Sequence, residues 1–308
     1  MTAIAITGAS GFVGRHLVRA AAAAGHDVTG FVRSDRAAAR VREAGGRPKP
    51  LVDEPAALAR SLECVGAVVH LAQIGAERDG QPYEAVNVGL TARVVDAARR
   101  AGVERILLFS GLGVARYGQS RRVTSRYFLS KLRAEALVLG SALDAFVFRP
   151  SYVVGPGDAF VPAVLRAMET GDVERPGDGS YRMQPIAVAD ATAVVLATIA
   201  RPAGSFPTVF DLVGPEPVAY ARLLERLEAV ARGLGRPVRL RVREVEIAEA
   251  ERQARRPAGY QGMGPDELDC LLCDEVGDAA PLEALLGRRL TPLDQALAAA
   301  VRAASAPA

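Results

Sequence analysis

The chain has 308 residues, of which 50% are hydrophobic, so it can bury a full core in one large domain or two interlocked ones. Its 38 basic and 35 acidic residues leave a formal net charge of +3 and are spread along the chain, without the basic stripe that nucleic-acid binding requires. No apolar run approaches the roughly 20 residues that span a bilayer, and the N-terminus lacks the pattern of a signal peptide, so we expect a cytoplasmic protein with no membrane span.

Cysteine is too rare in this sequence to build a disulfide framework, since only Cys64, Cys270 and Cys273 are present. Cys270 and Cys273 form a single CxxC, with no second pair and no nearby histidine, inside a leucine-rich helical pattern. We interpret both as packing residues, and the sequence predicts no metal site.

The first motif is the glycine-rich stretch TGASGFVG at residues 7–14. A short β-rich run precedes it and an alanine-rich run follows it, a pattern that predicts strand, tight turn and helix. Gly8 would allow the turn, Gly11 the close approach of a ligand, and Gly14 the packing of helix on strand. The free N–H groups of the helix start would then face a pyrophosphate. We predict a dinucleotide cradle with contacts at Gly8, Ser10, Gly11, Phe12, Val13 and Gly14.

The end of the second predicted strand, Asp27–Val32, usually decides the cofactor. Enzymes that prefer NAD place an acid there for the ribose 2′-hydroxyl, whereas a basic residue accommodates a 2′-phosphate. Here Arg33 and Ser34 follow the strand, and a guanidinium is well shaped for phosphate, so NADP is favoured. Two alternatives stay open, because Asp35 is compatible with NAD, and Arg33 and Arg36 could simply solvate a surface turn.

Strands and helices alternate up to residue 150. The pattern predicts helices at 37–45, 55–62 and 87–100, and strands at 47–51, 67–72, 105–109 and 145–148. This rhythm predicts an α/β fold with a doubly wound parallel sheet of the Rossmann type, whose ligands lie beyond the C-terminal ends of the strands. His70 is interpreted as a packed residue at one strand end, and Ser110, directly after another strand, lies at the functional rim.

Tyr127 and Lys131 are the most informative pair in the chain. They stand four residues apart in SRYFLSKLRAEALVL, which predicts a helix, so the phenol and the ammonium share one face. A nearby ammonium favours the phenolate, and we expect it to lower the pKa of the tyrosine toward that of a working acid or base. The alternative is an exposed aromatic residue beside a solvated charge.

Beyond residue 150 the alternation loosens. The pattern predicts helices at 160–169 and 218–233, strands at 209–213 and 238–245, two late helical segments, and a helix for which Asp190 is the N-cap. We predict a dinucleotide-binding domain formed by residues 1–150 and 181–213. Residues 151–180 and 214–308 would form a smaller C-terminal α/β substrate subdomain over the cofactor cleft.

With these motifs the chain resembles the short-chain dehydrogenase/reductase superfamily, in its extended or atypical, NAD-dependent epimerase/dehydratase-like branch, over nearly its whole length. The matching marks are TGASGFVG, VVHLA at 68–72, Asn87 with Thr91, Tyr127 with Lys131, RPSYVVGPGD at 149–158, PIAVADA at 185–191 and FDLVGPE at 210–216. Within the branch, SGLGV at 110–114 and LTPLDQAL at 290–297 look most like bacterial relatives of the NADPH-binding accessory subunit of respiratory complex I.

The resemblance implies roles for the matching residues. Tyr127 would exchange a proton with the substrate oxygen, Lys131 would hold the nicotinamide ribose and lower the pKa of Tyr127, and hydride would pass to or from the nicotinamide. The cofactor-binding residues implied in addition to the cradle, Arg33 and Ser34 are Leu71, Ala72, Asn87, Tyr127, Lys131 and Pro150.

The sequence departs from the family at the hydroxyl that usually hydrogen-bonds the substrate oxygen. That position, just after the fifth strand, falls on Gly111 or Leu112, and neither carries a hydroxyl. Ser110 lies one or two positions earlier and is included in the catalytic set, while Thr124 and Ser125 are alternative replacements.

A second departure concerns acids that the family often places near positions 51 and 66, the first of them in contact with adenine. This chain has Leu51 and Gly66 there, and Asp53 is the residue that could compensate.

Two functions are compatible with these features. The first is an NADP-dependent oxidoreductase or epimerase-like enzyme that acts on a small carbonyl, alcohol or sugar-like substrate, as Tyr127 and Lys131 suggest. The second is a non-catalytic NADPH-binding protein with a structural, assembly or sensor role, as the missing hydroxyl and the complex I resemblance suggest. The expected partner is a small-molecule substrate, and a homo-oligomer or a protein partner stays open.

Overall fold

A computed structural model describes residues 1–78 and 80–304 of the chain. The strands are β1 (Ala3–Thr7), β2 (Asp27–Val32), β3 (Arg47–Pro50), β4 (Ala67–His70), β5 (Arg105–Phe109), β6 (Asp144–Pro150), β7 (Val153–Val154), β8 (Val173–Pro176), β9 (Arg182–Met183), β10 (Ile186–Ala187), β11 (Val209–Leu212), β12 (Val218–Ala219) and β13 (Val242–Val245). The helices are α1 (Phe12–Ala23), α2 (Asp35–Glu43), α3 (Pro55–Ser61), α4 (Leu90–Arg100), α5 (Arg126–Leu139), α6 (Phe160–Thr170), α7 (Val188–Ile199), α8 (Tyr220–Gly233), α9 (Ile247–Ala254), α10 (Pro265–Leu272), α11 (Ala280–Leu286) and α12 (Leu293–Ala304).

The central sheet has seven parallel strands in the order β11-β6-β5-β4-β1-β2-β3. Thr7 at the end of β1 pairs with Phe31 of β2 on one side and with His70 of β4 on the other. The chain order reverses between β1 and β4, and ligands of such sheets bind in the crevice at that point. The predicted doubly wound parallel sheet is therefore confirmed.

Both faces of the sheet are covered, because successive side chains of a strand point to opposite sides. Ile4 and Ile6 of β1 pack in the core on the side of α1 and α7, whereas Ala5 packs on the side of α4 and α5. Burial on both faces explains why the strands are nearly continuous apolar runs.

A further apolar core lies outside the sheet and is built by α6, α8, α10 and α12, with Tyr260 fully buried in it. Short ladders support it, with β13 parallel to β8 and β12 antiparallel to β9. Leu282 and Leu290 pack instead against the core of the sheet, beside α7. The division into a dinucleotide-binding domain and a substrate subdomain stays a prediction.

The expectation that Asp190 caps a helix is wrong. Helix α7 begins at Val188, so Asp190 lies inside its first turn, with a carboxyl that is only 1% exposed. Its oxygens accept hydrogen bonds from Arg288 Nη2 at 2.7 Å and from the backbone N–H of Thr291 at 2.6 Å. Asp190 therefore ties α7 to the segment that leads into α12, a contact that local sequence does not encode.

Other boundaries differ by a few residues. The helix expected from residue 87 begins with a π-helical segment, Glu84–Gly89, before α4, and the strand expected at 238–245 is formed only by β13. Cys273 and Cys270 pack in an apolar cluster with Phe128, as expected of packing residues. Within the described residues, no cluster of side chains suited to a metal ion and no helix able to cross a membrane is found.

Candidate active site

The glycine-rich turn closes tightly against the end of the sheet. Gly8 has a φ of +69°, and a Cβ there would come within 2.9 Å of the backbone N of Ala72. A Cβ at Gly14 would overlap the carbonyl oxygen of Gly8, so α1 can lie this close to the turn only with glycine at that position. Gly11 caps α1, and its N–H donates to the Gly8 carbonyl at 3.0 Å. The start of α1 is thus held at the crevice of the sheet.

A cleft of about 420 Å³ lies at this crevice. Seven of the predicted cofactor contacts line it: Gly8, Ser10, Gly11, Arg33, Ser34, Leu71 and Ala72. Phe12, Val13 and Gly14 form the first turn of α1 and are not part of the lining, and neither is Pro150 at the end of β6. Gln73 also lines the cleft, although the sequence did not predict it. Its side chain contacts Lys131 of α5, which is far away in the sequence, and no local motif indicates such a contact.

A neighbouring cleft of about 450 Å³ lies beyond the end of β2. Arg33 and Ser34 line both clefts, and Arg42 from α2 and Lys49 from β3 join them in this one. No sequence motif predicted Arg42 and Lys49 as part of this cleft, because α2 and β3 come close to Arg33 only in the folded chain. Asp35 and Asp53 line the same cleft, so its walls carry three cations and two carboxylates.

Asn87 holds the loop that follows β4 by hydrogen bonds. Its Oδ1 accepts from the backbone N–H of Ile74 at 2.9 Å, and its Nδ2 donates to the Ile74 carbonyl and to Ser130 Oγ, both at 3.0 Å. The side chain therefore clamps the loop after β4 onto α5. With both amide hydrogens in use, Asn87 serves the cleft by holding the loop that carries Leu71 and Ala72.

His70 is a fully buried member of a hydrogen-bonded chain across the strand ends. Its Nδ1 lies 2.7 Å from Thr7 Oγ1, its Nε2 lies 3.0 Å from Thr91 Oγ1, and the Thr91 hydroxyl donates to the Asn87 carbonyl at 2.6 Å. Burial, reinforced by the charge of Lys131, lowers the pKa of His70 to about 3. A neutral imidazole bonded on both sides fits the interpretation of a packed residue.

Tyr127 and Lys131 lie on one face of α5, whose start is capped by Ser125 accepting from the N–H of Phe128 at 3.3 Å. The Tyr127 ring packs edge-on against Tyr83, with centroids 5.8 Å apart, and against Phe128 at 5.3 Å. The helix therefore delivers both groups to the same end of the sheet, as the four-residue spacing predicted.

Lys131 is 1% exposed and has only uncharged hydrogen-bond partners among the described residues. Its Nζ donates to the Phe109 carbonyl at 2.6 Å and to Gln73 Oε1. Burial lowers the pKa of this ammonium to about 7, against the opposing effect of Glu135 one turn further along α5. Lys131 thus titrates near neutral pH.

The expectation that Lys131 lowers the pKa of Tyr127 is wrong. The pKa of the phenol is raised, first by burial and then by Cys270 and Glu275, whose ionised forms would repel a phenolate. The Lys131 ammonium offers no compensation because it is turned toward Phe109 and Gln73. Tyr127 is therefore a neutral proton donor.

The candidates for the missing hydroxyl differ in their availability. The Thr124 hydroxyl donates to the Arg121 carbonyl at 2.7 Å, and Ser125 caps α5. Ser110 is 1% exposed, and its Oγ has no hydrogen-bond partner among the described residues. Of the three, only Ser110 keeps a hydroxyl free of other bonds.

Gly111 leaves room beside the phenol. A Cβ on Gly111 would lie 3.6 Å from the Tyr127 hydroxyl, an ordinary contact distance. Leu112, the alternative position for the family hydroxyl, is buried in the 3₁₀ turn Leu112–Arg116. Of the two positions, 111 is therefore the one at which a serine or threonine hydroxyl would lie beside the Tyr127 phenol.

The parallel sheet and the glycine cradle at its crevice define a dinucleotide-binding protein of the Rossmann type. A family model described as the NAD dependent epimerase/dehydratase family matches residues 4–211, more than half of the chain. The chain belongs to this family. The predicted membership of the extended short-chain dehydrogenase/reductase-like proteins is confirmed, and with it the general oxidoreductase or epimerase class.

Curated relatives support the same class. The chain is 28% identical over 280 residues to dTDP-4-dehydro-6-deoxy-D-allose reductase of a Streptomyces species, covering 78% of this chain and 83% of that protein. It is 28% identical over 247 residues to 2-alkyl-3-oxoalkanoate reductase of Stenotrophomonas maltophilia, covering 73% and 74%. A third relative is the mitochondrial NADH dehydrogenase [ubiquinone] 1 alpha subcomplex subunit 9 of Arabidopsis thaliana, 26% identical over 247 residues, which cover 76% of this chain and 59% of that protein.

Solved structures share the fold. UDP-glucuronic acid 4-epimerase from Bacillus cereus, in complex with UDP-glucuronic acid and NAD, has a TM-score of 0.74 at 18% identity and covers 98% of both chains. The Bordetella bronchiseptica enzyme WbmH in complex with NAD⁺ has a TM-score of 0.72 at 20% identity, again over 98% of both chains.

Proposed function

We propose that this protein is an NADP(H)-dependent oxidoreductase that interconverts a carbonyl compound and the corresponding alcohol. The observation that carries the proposal is the link between the cleft and the Tyr127–Lys131 face of α5. Gln73 lines the cleft, and its side chain accepts a hydrogen bond from Lys131, one helical turn from Tyr127. Lys131 thus contacts a residue that lines the cleft, and Tyr127 lies one helical turn from Lys131.

The cleft offers what a dinucleotide needs. The turn at Gly8 and Gly11 presents bare backbone, and α1 begins there with unpaired N–H groups that favour a pyrophosphate. Leu71 and Ala72 line the cleft directly beside Gly8. When bound, the nicotinamide would supply or accept the hydride.

Charge favours NADP over NAD. Arg33, Arg42 and Lys49 line the cleft beyond β2, where the adenosine ribose of a dinucleotide held by the cradle would end. Three cations around one small cleft repel one another unless an anion joins them, and a 2′-phosphate is such an anion. Asp35 and Asp53 reduce this field without cancelling it.

Tyr127 is the proton donor in the reductive direction. Burial keeps the phenol protonated until negative charge develops on the substrate oxygen, at which point the proton moves to that oxygen. Lys131 lies on the same face of α5, and its ammonium would stabilise the phenolate left behind once it is released from Gln73 and Phe109. In the oxidative direction the same groups accept the proton from the alcohol.

Reduction is favoured over epimerisation as the reaction of this chain, since two of the relatives above are named reductases. Their printed substrates, a deoxysugar nucleotide and an alkyl oxo acid, have a ketone in common. We therefore propose a ketone as the substrate class, bound beyond the C-terminal ends of the strands.

The test is the variant Tyr127→Phe, with Tyr117→Phe as the matched control, because Tyr117 is a half-buried tyrosine of the same apolar cluster. We expect Tyr127→Phe to lower ketone-dependent NADPH oxidation by at least about 10²-fold, the usual value of a general acid, while the NADPH Kd changes little. Tyr117→Phe should retain activity. Equal turnover in wild type and Tyr127→Phe would exclude the proposed mechanism.

The second candidate is a protein that holds NADPH without turnover. Two observations favour it: no hydroxyl is present at Gly111 or Leu112, and the chain is similar to an accessory subunit of respiratory complex I. Such a protein would bind NADPH tightly and gain stability from it by mass action. A ketone that oxidises NADPH at an ordinary enzymatic rate would remove this candidate.

A further inference from the structure

A buried carboxyl near Tyr127 has no part in the reaction as proposed. Glu275 follows α10 and is only 7% exposed. Its backbone is fixed from the other side, because its N–H donates to the Arg182 carbonyl at 2.7 Å and its strand segment bridges to Met183. The backbone position of Glu275 is therefore set by the fold.

Glu275 lacks the partners that a buried carboxylate normally has. Its one hydrogen bond within the described residues is a long contact of 3.5 Å from the Ser151 hydroxyl, and none of the ion pairs there includes it. Buried polar groups are nearly always hydrogen-bonded, and exceptions require an explanation. Six buried side-chain atoms of the described residues have no hydrogen-bond partner, and two of them are Ser110 Oγ, directly after β5, and Nη2 of Arg116, whose charge acts on Glu275.

Geometry places the carboxyl near Tyr127, because Ser151 follows β6 and because Cys273, two residues before Glu275, packs in the apolar cluster that contains Tyr127. The groups that interact with the carboxyl come from four elements. They are Arg116 of the 3₁₀ turn Leu112–Arg116, Tyr127 of α5, Ser151 and Tyr152 after β6, and Cys270 and Cys273 of the α10 segment. Arg116 is the one cation among them. Burial outweighs its effect and raises the pKa of Glu275 to about 8, so the group is a neutral acid and a hydrogen-bond donor at neutral pH.

We propose that Glu275 hydrogen-bonds the substrate oxygen beside Tyr127, in the part that a serine or threonine at Gly111 or Leu112 would otherwise play. This inference rests on the proposed reductase function. It explains why an acid is kept buried with a single weak partner, since the stronger partner is the ketone. It also explains how Tyr127 can work without the usual hydroxyl neighbour.

The step balances without a further reactant. When NADPH is bound, its nicotinamide would supply the hydride that forms a C–H bond at the carbonyl carbon, and the π pair of the C=O bond would move to oxygen. The Tyr127 O–H bond breaks and its proton goes to that oxygen. Glu275 keeps its own proton throughout and only donates a hydrogen bond, which strengthens as negative charge develops on the oxygen.

The experiment compares kcat/KM across pH for wild type, Glu275→Gln and Glu275→Leu. The assay follows NADPH oxidation with the fastest ketone from a panel of small 3-oxo esters and 1,2-diketones. We expect Glu275→Leu to lose on the order of 10²-fold, the usual effect of removing one such donor, with the NADPH Kd unchanged. Glu275→Gln keeps a neutral donor, so it should stay within a few-fold of wild type at neutral pH. It should also lack the wild-type decline above about pH 8, where the acid ionises.

Glu244→Gln is the matched control, because Glu244 is an exposed acid paired with Arg175 and should leave the profile unchanged. If Glu275→Leu does not fold, the pH dependence of kcat/KM for Glu275→Gln still tests the inference. A Glu275→Gln enzyme that still shows the wild-type decline, or a folded Glu275→Leu enzyme with wild-type activity, would overturn the inference.

The assay separates this inference from the function on which it rests. If Tyr127→Phe abolishes turnover but both Glu275 variants behave as wild type, only the role of Glu275 is wrong. If Tyr127→Phe leaves turnover unchanged, the proposed reductase function is wrong and the role of Glu275 falls with it.

A readout without substrate is also available. Between pH 4.5 and about 8 the native Glu275 retains a proton that the unfolded chain has lost, so the wild type should lose stability relative to Glu275→Gln as pH rises through this window. Urea midpoints measured from about pH 5 to about pH 9 should show this relative loss. A constant difference between the two proteins would contradict a buried neutral acid at this position.

Discussion

The two groups of the proposed reaction centre are both held toward their uncharged forms. Burial raises the pKa of the Tyr127 phenol and lowers that of the Lys131 ammonium to about 7. Opposite charges side by side would stabilise each other, but Lys131 bonds to Gln73 and Phe109 instead. Tyr127 is thus a neutral acid, and Lys131, one helical turn away, is an amine with a pKa close to neutral pH.

The lowered pKa of Lys131 makes stability depend on pH. Between about pH 7 and pH 10.5 the unfolded chain holds a proton on this lysine that the native chain has lost, so stability rises with pH. We expect the free energy of unfolding of wild type to increase relative to Lys131→Met over this window. Urea unfolding at several pH values measures it, and parallel curves for the two proteins would contradict a buried lysine with a lowered pKa.

The cofactor preference can be tested with two neighbouring arginines. Arg33 lines both clefts, whereas Arg36, three residues later, lines neither. Arg33→Ala should weaken NADPH binding by about 10-fold, as expected for a charge-assisted phosphate contact, and leave NADH binding nearly unchanged. Arg36→Ala is the control and should alter neither. Equal losses for NADPH and NADH in Arg33→Ala would argue against a 2′-phosphate contact.

Gly111 offers a gain-of-function test. A Cβ there meets Tyr127 and Phe128 only at ordinary contact distances, the nearest 3.5 Å away, so Gly111→Ser should fold and place a hydroxyl beside the phenol. We expect kcat with a ketone substrate to stay equal or rise, because a second hydrogen-bond donor then faces the substrate oxygen.

Gly113 is the steric contrast to Gly111. A Cβ at Gly113 would overlap the buried Phe128 ring, so Gly113→Ala should destabilise the protein by about 1–3 kcal/mol. Thermal unfolding of both variants checks the difference. A Gly111→Ser protein as destabilised as Gly113→Ala would show that the space beside Tyr127 is not open.

At the scale of elements, the parallel strands and the cradle could be predicted from sequence because their signals are local. The apolar run before Gly8 and the glycine spacing after it both lie within a dozen residues. Asp190, Gln73 and Glu275 could not be understood in this way. Each acts on a residue dozens of positions away, such as Arg288, Lys131 or Ser151, and no periodicity marks such a contact.

The contact between α7 and the segment before α12 is expected to contribute strongly to stability. Asp190→Ala removes a buried carboxylate and leaves Arg288 and the N–H of Thr291 without this partner, so we expect a loss of about 2–3 kcal/mol. Asp294→Ala, which removes an exposed partner of Arg226, should cost less than about 1 kcal/mol. Urea unfolding of both variants distinguishes them, and equal losses would contradict a structural role for the Asp190 carboxyl.

At the scale of the whole molecule, we propose that residues beyond the sheet complete the site. Helix α10 is tied to earlier segments by ion pairs, Arg78 with Glu267 at 2.7 Å and Arg122 with Asp269 at 2.9 Å. These contacts set Cys270 and Glu275 close enough to Tyr127 to raise the pKa of its phenol. A late part of the chain thus adds to the effect of burial on the pKa of Tyr127, and no family motif marks that part.

The rate at which NADPH leaves the purified protein tests the central claim most directly. An oxidoreductase must exchange its cofactor in every catalytic cycle, and typical turnover rates of about 1–10³ s⁻¹ require release within about a second. We predict such release when bound NADPH is chased with excess NADP and nicotinamide fluorescence is followed. Release over many minutes would contradict the oxidoreductase and favour a protein that holds NADPH for structure or sensing.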